Sequence, residues 1–176
     1  MRTLSGLIAA LSLWAVPASP QTENWMARAE MRFHQNLIDR VGAAETRKIA
    51  PFTTDGCSGG LSWSWERLVD LVPSLAPQEG ERPPWEECCV AHDRAYHDIR
   101  GATTAQESFA ARLAADEELQ RCVAAVGHVA PDKVDDWGMT PALYERLGQS
   151  MFWAVRFGGG PCSGLSWRWG YGLENC

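Results

Sequence analysis

The sequence lacks an excess of basic side chains and, beyond its N-terminal segment, any hydrophobic run long enough to cross a bilayer. Its 16 Lys and Arg residues are outnumbered by 22 Asp and Glu residues, for a formal net charge of −6. This balance argues against a nucleic-acid partner, because phosphate binding relies on clustered Lys and Arg. A chain of 176 residues that is 45% hydrophobic and 22% charged instead has the composition of a single globular domain.

The N-terminal segment has the features of a secretory signal peptide. An apolar run covers residues 7–16, and Val16-Pro17-Ala18 has the small-residue spacing of a signal-peptidase site. The alternative is a buried helix or a membrane anchor, but the run is shorter than the ~20 residues that a spanning helix needs. We therefore expect residues 1–18 to be a signal peptide and residues 19–176 to form one domain of a secreted or periplasmic protein.

Six cysteines follow this segment: Cys57, Cys88, Cys89, Cys122, Cys162 and Cys176. An even number in an exported protein predicts three disulfides, because oxidising compartments preserve such bridges. The count leaves fifteen possible pairings open. A zinc site built from Cys88, Cys89, His92 and Cys122 is the alternative, and it would require free thiols.

Hydrophobic periodicity and terminal signals predict a mainly helical chain. The Pro83-Pro84 pair and the Thr140-Pro141 pair are typical helix starts, and Thr104 with Glu107 has the spacing of a capping box. We expect helices over residues 23–41, 62–73, 83–100, 104–125 and 140–158. We expect loops over 51–60 and over 161–176, the second closed by a Cys162–Cys176 bridge.

Two of these helices carry the residues suited to chemistry. In the first, Cys88, His92 and Tyr96 share one helical face. The second carries Asp116 and Cys122. If a bridge joins Cys88 to Cys122 and the helices are antiparallel, His92 and Asp116 lie about 6 and 9 Å from it on the same side. An imidazole within reach of a carboxylate predicts a general base with a fixed tautomer.

Asp93 projects about 100° round the helix from His92 and could bind a metal ion. The loop over residues 55–60 is rich in glycine, so several of its main-chain carbonyl oxygens can converge. Ligation by oxygen alone favours calcium. A Cys57–Cys89 bridge would tie this loop to the helix beside Asp93.

These motifs resemble the secreted phospholipases A2, which share a Cys-Cys-x-x-His-Asp helix, a preceding Gly-rich calcium loop and a second helix with Asp-x5-Cys. The matching positions span about residues 55–125 of this chain. The resemblance implies that His92 is the general base, that Asp116 is its partner and that Tyr96 supports the aspartate. It implies Ca²⁺ as the cofactor, with these ligands: the Asp93 side chain and main-chain oxygens of Gly56, Ser58 and Gly60.

The implied fold is mainly α, with two antiparallel, disulfide-linked helices that carry the site, a calcium-binding loop before them and extra N- and C-terminal helices. The implied function is calcium-dependent hydrolysis of the sn-2 ester of glycerophospholipids by a monomer at a membrane or micelle interface. The alternative is a catalytically inactive relative that binds lipid or a protein partner through the same scaffold.

The chain departs from the family pattern at several positions. Ser58 stands where glycine is usual, and no tyrosine between Tyr96 and Tyr144 can supply the second support of the aspartate. Ala95 and Ala115 occupy positions that many members bridge with cysteines, and antiparallel register predicts that they face each other.

The tryptophans allow two interpretations. Leu-Ser-Trp-Ser-Trp at 61–65 is echoed by Leu-Ser-Trp-Arg-Trp at 165–169. These side chains could form an interfacial rim around the site, because Trp prefers the boundary between water and lipid, or could pack in the core. Among the histidines outside the motif, His34 has no evident functional neighbour and His97 is expected at the surface.

Overall fold

The computed structural model describes residues 20–42, 48–58, 83–128, 139–174 and 176. Within these ranges the chain is mainly helical, as predicted, with no β-strand and an isolated antiparallel bridge between Ile49 and Leu173. The four helices are α1 (Pro20–Gly42), α2 (Glu86–His97), α3 (Ala105–Val126) and α4 (Pro141–Gly158). None of these described helices is both long and apolar enough to cross a membrane. The expected signal peptide and the expected helix over 62–73 lie outside the described residues.

The helix boundaries follow local signals in the sequence. The Thr104 side chain accepts a hydrogen bond from Glu107 N, and the reciprocal bond from the Thr104 backbone completes the predicted capping box. The Thr140 side chain accepts a hydrogen bond from Leu143 N and so caps α4, which has Pro141 at its first position. Acidic side chains of Glu86 and Glu87 lie in the first turn of α2, where they interact favourably with the helix dipole.

Helix α2 ends three residues earlier than the expected end near Arg100. Ile99 and Arg100 have φ angles of 56° and 50°, so the chain leaves the helix in a left-handed turn before Gly101. This conformation is costly for a β-branched residue. The turn places the Ile99 side chain in the core, where it is fully buried, and that burial offsets the cost.

Helix α3 is the central element and packs most extensively against α4, with further contacts to α1 and α2. Two apolar clusters flank it. One joins α2, α3 and α4 and includes Trp85, Leu119, Val123, Tyr144 and Met151. The other surrounds Trp169 and includes Leu37, Tyr96, Ile99, Ala95 and Ala115. The two alanines expected to face each other are thus both buried in the same cluster.

The C-terminal segment is a loop, as predicted, and it crosses the end of α2. Gly170 N donates to Tyr96 O at 2.7 Å and Gly172 N donates to His97 O at 3.0 Å. The expectation that His97 lies at the surface is wrong, because this segment covers it and its ring contacts the ring of Tyr171. The burial of His97 by the C-terminal segment could not be predicted from the sequence, because it depends on tertiary contacts.

Trp169 belongs to the core and not to an interfacial rim. It is fully buried, and its indole N–H donates to Ser108 Oγ at 2.9 Å. Trp167 is partly exposed, whereas Trp63 and Trp65 lie outside the described residues.

The six cysteines form the three expected disulfides: Cys57–Cys89, Cys88–Cys122 and Cys162–Cys176. The first ties the loop before α2 to that helix, the second joins α2 to α3, and the third closes the C-terminal segment. A zinc site is therefore disfavoured, because all three of its proposed thiols are oxidised.

Candidate active site

A histidine and an aspartate meet between α2 and α3, close to the Cys88–Cys122 bridge. His92 Nε2 lies 2.9 Å from Asp116 Oδ1, and Asp116 is fully buried. Because a carboxylate accepts hydrogen bonds, the ring proton resides on Nε2 and the lone pair on Nδ1. The pair therefore has the arrangement of a general base whose tautomer is fixed by its partner.

Tyr96 supports the same carboxylate. Its hydroxyl donates to Asp116 Oδ1 at 2.6 Å, and its ring lies 4.1 Å from the His92 ring between centroids. Burial, with the negative charge of Asp116, raises the pKa of Tyr96 well above its usual value. The hydroxyl therefore remains protonated and acts as a permanent hydrogen-bond donor.

The group that binds the other carboxylate oxygen of Asp116 was not predicted from the sequence. Arg156 Nη1 on α4 donates to Asp116 Oδ2 at 3.0 Å. A second arginine, Arg112 on α3, donates from Nε to the Tyr96 hydroxyl at 3.2 Å. Both guanidinium groups also pair with the Glu30 carboxylate on α1. Four helices thus contribute charged or polar groups to one buried network.

The two arginines and two carboxylates of this network balance in charge. Burial opposes ionisation of Glu30, yet a hydrogen bond from His34 and the charges of Arg112 and Arg156 bring its pKa below the usual value. Glu30 is therefore ionised at neutral pH. The buried positive charges of both arginines are then matched by Glu30 and Asp116.

The network continues to His34, for which no functional neighbour was expected. His34 Nδ1 lies 2.8 Å from Ser108 Oγ and its Nε2 lies 3.5 Å from Glu30 Oε1. Burial lowers the pKa of His34, so this ring is neutral at physiological pH. Because Ser108 also binds Trp169, the network extends from the dyad to the C-terminal segment.

A sequence signal for these residues exists in the helical pattern. Glu30 lies four residues before His34 and seven before Leu37, so all three share the buried face of α1. Arg112 likewise falls in the buried stripe of α3, between Ser108 and Asp116. A charged residue at an apolar position predicts a buried ionic partner, although it does not identify that partner.

The loop before α2 carries the residues expected to hold calcium. Gly56 has a φ angle of 68°, a conformation that favours glycine, and a Cβ at this position would lie 2.1 Å from Glu86 Oε1 and displace that side chain. Thr54 Oγ1 donates to Asp93 Oδ2 at 2.5 Å. The main chain of Ser58 lies in the short 3₁₀ turn Gly56–Ser58, while Gly60 is outside the described residues.

The electrostatics of this loop fit a hard cation. Burial raises the pKa of Asp93 to about 6, and the negative charges of Asp55 and Glu86 contribute to the increase. A cation beside Asp93 would relieve this repulsion. Among the described residues there is no group of three or more metal-binding side chains, so Asp93 does not belong to a metal site formed by side chains alone.

His92 and Asp93 open onto one cleft. Its apolar wall is formed by Leu119 on α3, by Met151 and Val155 on α4 and by Trp167. A second cleft of about 240 Å³ adjoins it through Asp93 and Trp167 and includes Thr54 and Tyr171. The cleft therefore places apolar side chains beside an imidazole and a carboxylate.

The structure thus brings His92, Asp116 and Tyr96 together and places Asp93 and Gly56 in the same cleft as His92. Comparison with protein-family models, with curated proteins and with solved structures gave no match.

Proposed function

We propose that this protein hydrolyses the sn-2 ester of glycerophospholipids in a calcium-dependent reaction. The observation that carries the proposal is the 2.9 Å contact between His92 Nε2 and Asp116 Oδ1, beside a cleft that also contains Asp93. This pairing leaves the lone pair of Nδ1 for a proton transfer. The resemblance of the motifs to the secreted phospholipases A2 supplies the reaction class and the substrate.

In this mechanism His92 Nδ1 takes a proton from a water molecule while the water oxygen attacks the ester carbonyl carbon. Asp116 stabilises the imidazolium that forms, and Tyr96 holds the carboxylate in position. His92 then gives the proton to the departing glycerol oxygen as the ester bond breaks. The products are a fatty acid and a lysophospholipid, with no covalent bond to the protein.

Asp93 and main-chain oxygens of Gly56, Ser58 and Gly60 are the proposed calcium ligands. When bound, calcium would polarise the ester carbonyl and stabilise the negative charge that develops on its oxygen. The proximity of Asp55 and Glu86 to Asp93 supports this assignment, since both carboxylates raise the pKa of Asp93 in the absence of a cation.

Phospholipid at a membrane or micelle interface is the proposed partner. Helix α4, which lines the cleft with Met151 and Val155, also exposes Trp153 and Phe157, whose side chains are 50% and 77% accessible. Aromatic side chains favour the boundary between water and lipid. With a net charge of −6, the protein is not expected to bind strongly to anionic membranes.

The proposed location is secreted or periplasmic. The three disulfides support an oxidising compartment, because such bridges are rare where thiols are kept reduced.

A catalytically inactive lipid- or protein-binding domain is the second candidate. The exposed and stacked rings of Trp153 and Phe157, whose centroids lie 5.7 Å apart, suit this candidate as well as the first, because such a surface could bind without catalysis. An intact dyad is not required for this function, so activity separates the two candidates.

The test measures fatty-acid release from mixed-chain phosphatidylcholine vesicles, with calcium or with EGTA, for wild type, His92→Asn and His128→Asn. His128 is exposed and pairs with Glu145, so its variant controls for loss of a histidine. Release of the sn-2 acid that requires calcium and His92, but not His128, is expected. Binding of vesicles without release on any of several lipids would favour the second candidate.

A further inference from the structure

Both oxygens of the Asp116 carboxylate have a donor, and the two oxygens are bound from different helices. Oδ1 contacts His92 and Tyr96 on α2, whereas Oδ2 accepts from Arg156 on α4 at 3.0 Å. We propose that Arg156 is a positioning residue for Asp116 and that Glu30 holds Arg156 in place. This inference rests on the proposed function, because it assigns a role within that catalytic dyad.

The Arg156 guanidinium bridges two carboxylates through different nitrogen atoms. Its Nη1 donates to Asp116 Oδ2, and its Nη2 pairs with Glu30. The side chain is 12% exposed, so water does little to screen either contact. Arginine suits this position because its planar group presents several donors in a fixed geometry, which the ammonium of lysine does not.

The backbone of Arg156 is fixed by the other arginine of the network. Arg112 Nη2 donates to the carbonyl oxygens of Val155 and Arg156 at 2.8 and 2.9 Å, and its Nη1 pairs with Glu30. Glu30 therefore restrains Arg156 directly through its side chain and indirectly through Arg112. These contacts form a closed ring of hydrogen bonds from α1 through α3 and α4.

This closed ring of hydrogen bonds matters for the His92–Asp116 pair. The terminal torsion of an aspartate side chain, which sets the plane of the carboxylate, is intrinsically soft. Bonds to one oxygen alone allow the carboxylate plane to turn, whereas donors at both oxygens fix it. Without Arg156, Oδ2 would be a buried anionic oxygen that lacks its charged partner, and the carboxylate would turn toward another donor. Such a rotation of the carboxylate would move Oδ1 away from His92 Nε2, and the imidazole ring would lose the contact that orients it.

Arg156 also provides a second donor to Asp116, in place of the second tyrosine that the chain lacks. No tyrosine lies between Tyr96 and Tyr144 that could give Asp116 a second hydroxyl donor. The donor comes instead from α4, 40 residues beyond Asp116 in the chain. A charged donor differs from a hydroxyl because it balances the carboxylate, and Glu30 in turn balances the second arginine.

The test compares steady-state hydrolysis of a short-chain phosphatidylcholine below its micellar concentration by wild type, Arg156→Met, Arg156→Lys and Val123→Ala. Loss of an outer partner of a metal-binding residue typically lowers metal affinity or activity on the order of 10- to 100-fold, and we expect the same order for the loss of a partner of Asp116. We expect kcat of Arg156→Met to fall by this factor with KM changed by less than about twofold. Arg156→Lys, which keeps the charge, should recover part of kcat.

Val123→Ala is the matched control, because Val123 is fully buried on α3 in the apolar cluster around Trp85 and takes no part in the hydrogen-bond network of Asp116. It should lose stability and keep kcat. Added methylguanidine should restore kcat in Arg156→Ala and have no effect on wild type, a result that a general loss of packing would not give. If Arg156→Met does not fold, Arg156→Lys and Glu30→Gln provide the same comparison, with reduced kcat and unchanged KM expected for both.

A spectroscopic measurement tests the role of Arg156 without measuring hydrolysis. In ¹⁵N-histidine-labelled protein, the Nε2 proton of His92 should give a far-downfield signal because it is held by Asp116. We expect this signal to shift or broaden in Arg156→Met and to be unchanged in Val123→Ala. Wild-type kcat in both arginine variants, together with an unchanged His92 signal, would overturn the inference. Absence of hydrolysis by wild type would instead contradict the proposed function.

Discussion

Thr54 Oγ1 lies 2.5 Å from Asp93 Oδ2 and thereby joins the loop before α2 to the helix that carries the dyad. The same hydroxyl accepts a hydrogen bond from Gly56 N at 3.0 Å, and the Cys57–Cys89 disulfide ties the loop to α2 covalently. The loop and the aspartate are therefore held together by the protein itself. A cation would enter a site whose side-chain ligand is already oriented.

Calcium affinity should depend on pH near the pKa of Asp93, which burial raises to about 6. Because a cation binds the ionised carboxylate, we expect affinity to be full above about pH 7 and to fall as pH drops through 6. Without calcium, the raised pKa of Asp93 makes the free energy of unfolding fall, rather than rise, as pH increases. Folding favours the protonated acid, so this contribution is present at low pH and is lost as pH rises through about 6. Isothermal titration calorimetry and thermal unfolding across this range measure both effects.

Thr54→Val tests whether the titration of Asp93 sets the pH dependence of calcium binding. The hydrogen bond from Thr54 lowers the pKa of Asp93, so its removal should move the midpoint of calcium binding to higher pH. The neighbouring Thr53→Val should keep the wild-type midpoint, because Thr53 takes part through its main-chain oxygen, which accepts from Tyr171. Equal calcium affinity at pH 5 and pH 7.5, or full affinity in Asp93→Asn, would contradict the assignment.

Gly56→Ala should weaken calcium binding and destabilise the loop. A left-handed conformation costs an alanine roughly 1–2 kcal/mol, and the added Cβ would also collide with the Glu86 carboxylate. Gly101→Ala separates the two effects, because Gly101 has a φ of 72° and no atom of the described residues beyond its neighbours in the chain lies within 4 Å of the added Cβ. Chemical denaturation should show a loss of about 1–2 kcal/mol for Gly101→Ala and a greater loss for Gly56→Ala. Reduced calcium affinity is expected for Gly56→Ala alone, and equal affinity in the two variants would argue against the loop as a calcium site.

Arg112→Met should strongly destabilise the fold. Arg112 is 1% exposed, and its removal leaves the Glu30 carboxylate with one arginine partner and breaks its bonds to Tyr96 and α4. Breaking a buried ion pair from one side costs about 3–5 kcal/mol. Arg121→Met is the control on the same helix, since the Arg121–Glu117 pair is exposed and worth only about 0.3–0.5 kcal/mol. Urea unfolding of both variants gives the comparison, and similar losses in the two would show that the network does not support the fold.

Local chemistry explains which features could be predicted from the sequence. The starts of α3 and α4 are set by Thr104 and Thr140, whose partners lie three residues away. The contact of His92 with Asp116 could be inferred because each lies a short helical distance from its own half-cystine in one bridge.

The features that could not be predicted depend on distant packing. Arg156 is 40 residues from Asp116 and 126 from Glu30, and no local pattern fixes which buried charges will meet. The burial of His97 likewise depends on the C-terminal segment, which returns across the end of α2. In both cases the residue type permits several environments, and the tertiary fold selects one.

Replacement of the exposed aromatic side chains of α4 should reduce binding to lipid vesicles. Phe157 and Trp153 stack against each other at the surface, and full burial of one such side chain is worth about 1.5–3 kcal/mol. Phe157→Ala should therefore weaken binding to phosphatidylcholine vesicles by about tenfold or more, as measured by sedimentation with sucrose-loaded vesicles. Leu143→Ala is the matched control, because Leu143 is also exposed on α4 but lies about 20 Å along the helix. If both variants bind as wild type does, α4 is not the lipid-binding face; if both lose binding equally, the contact is not specific to the aromatic pair beside the cleft.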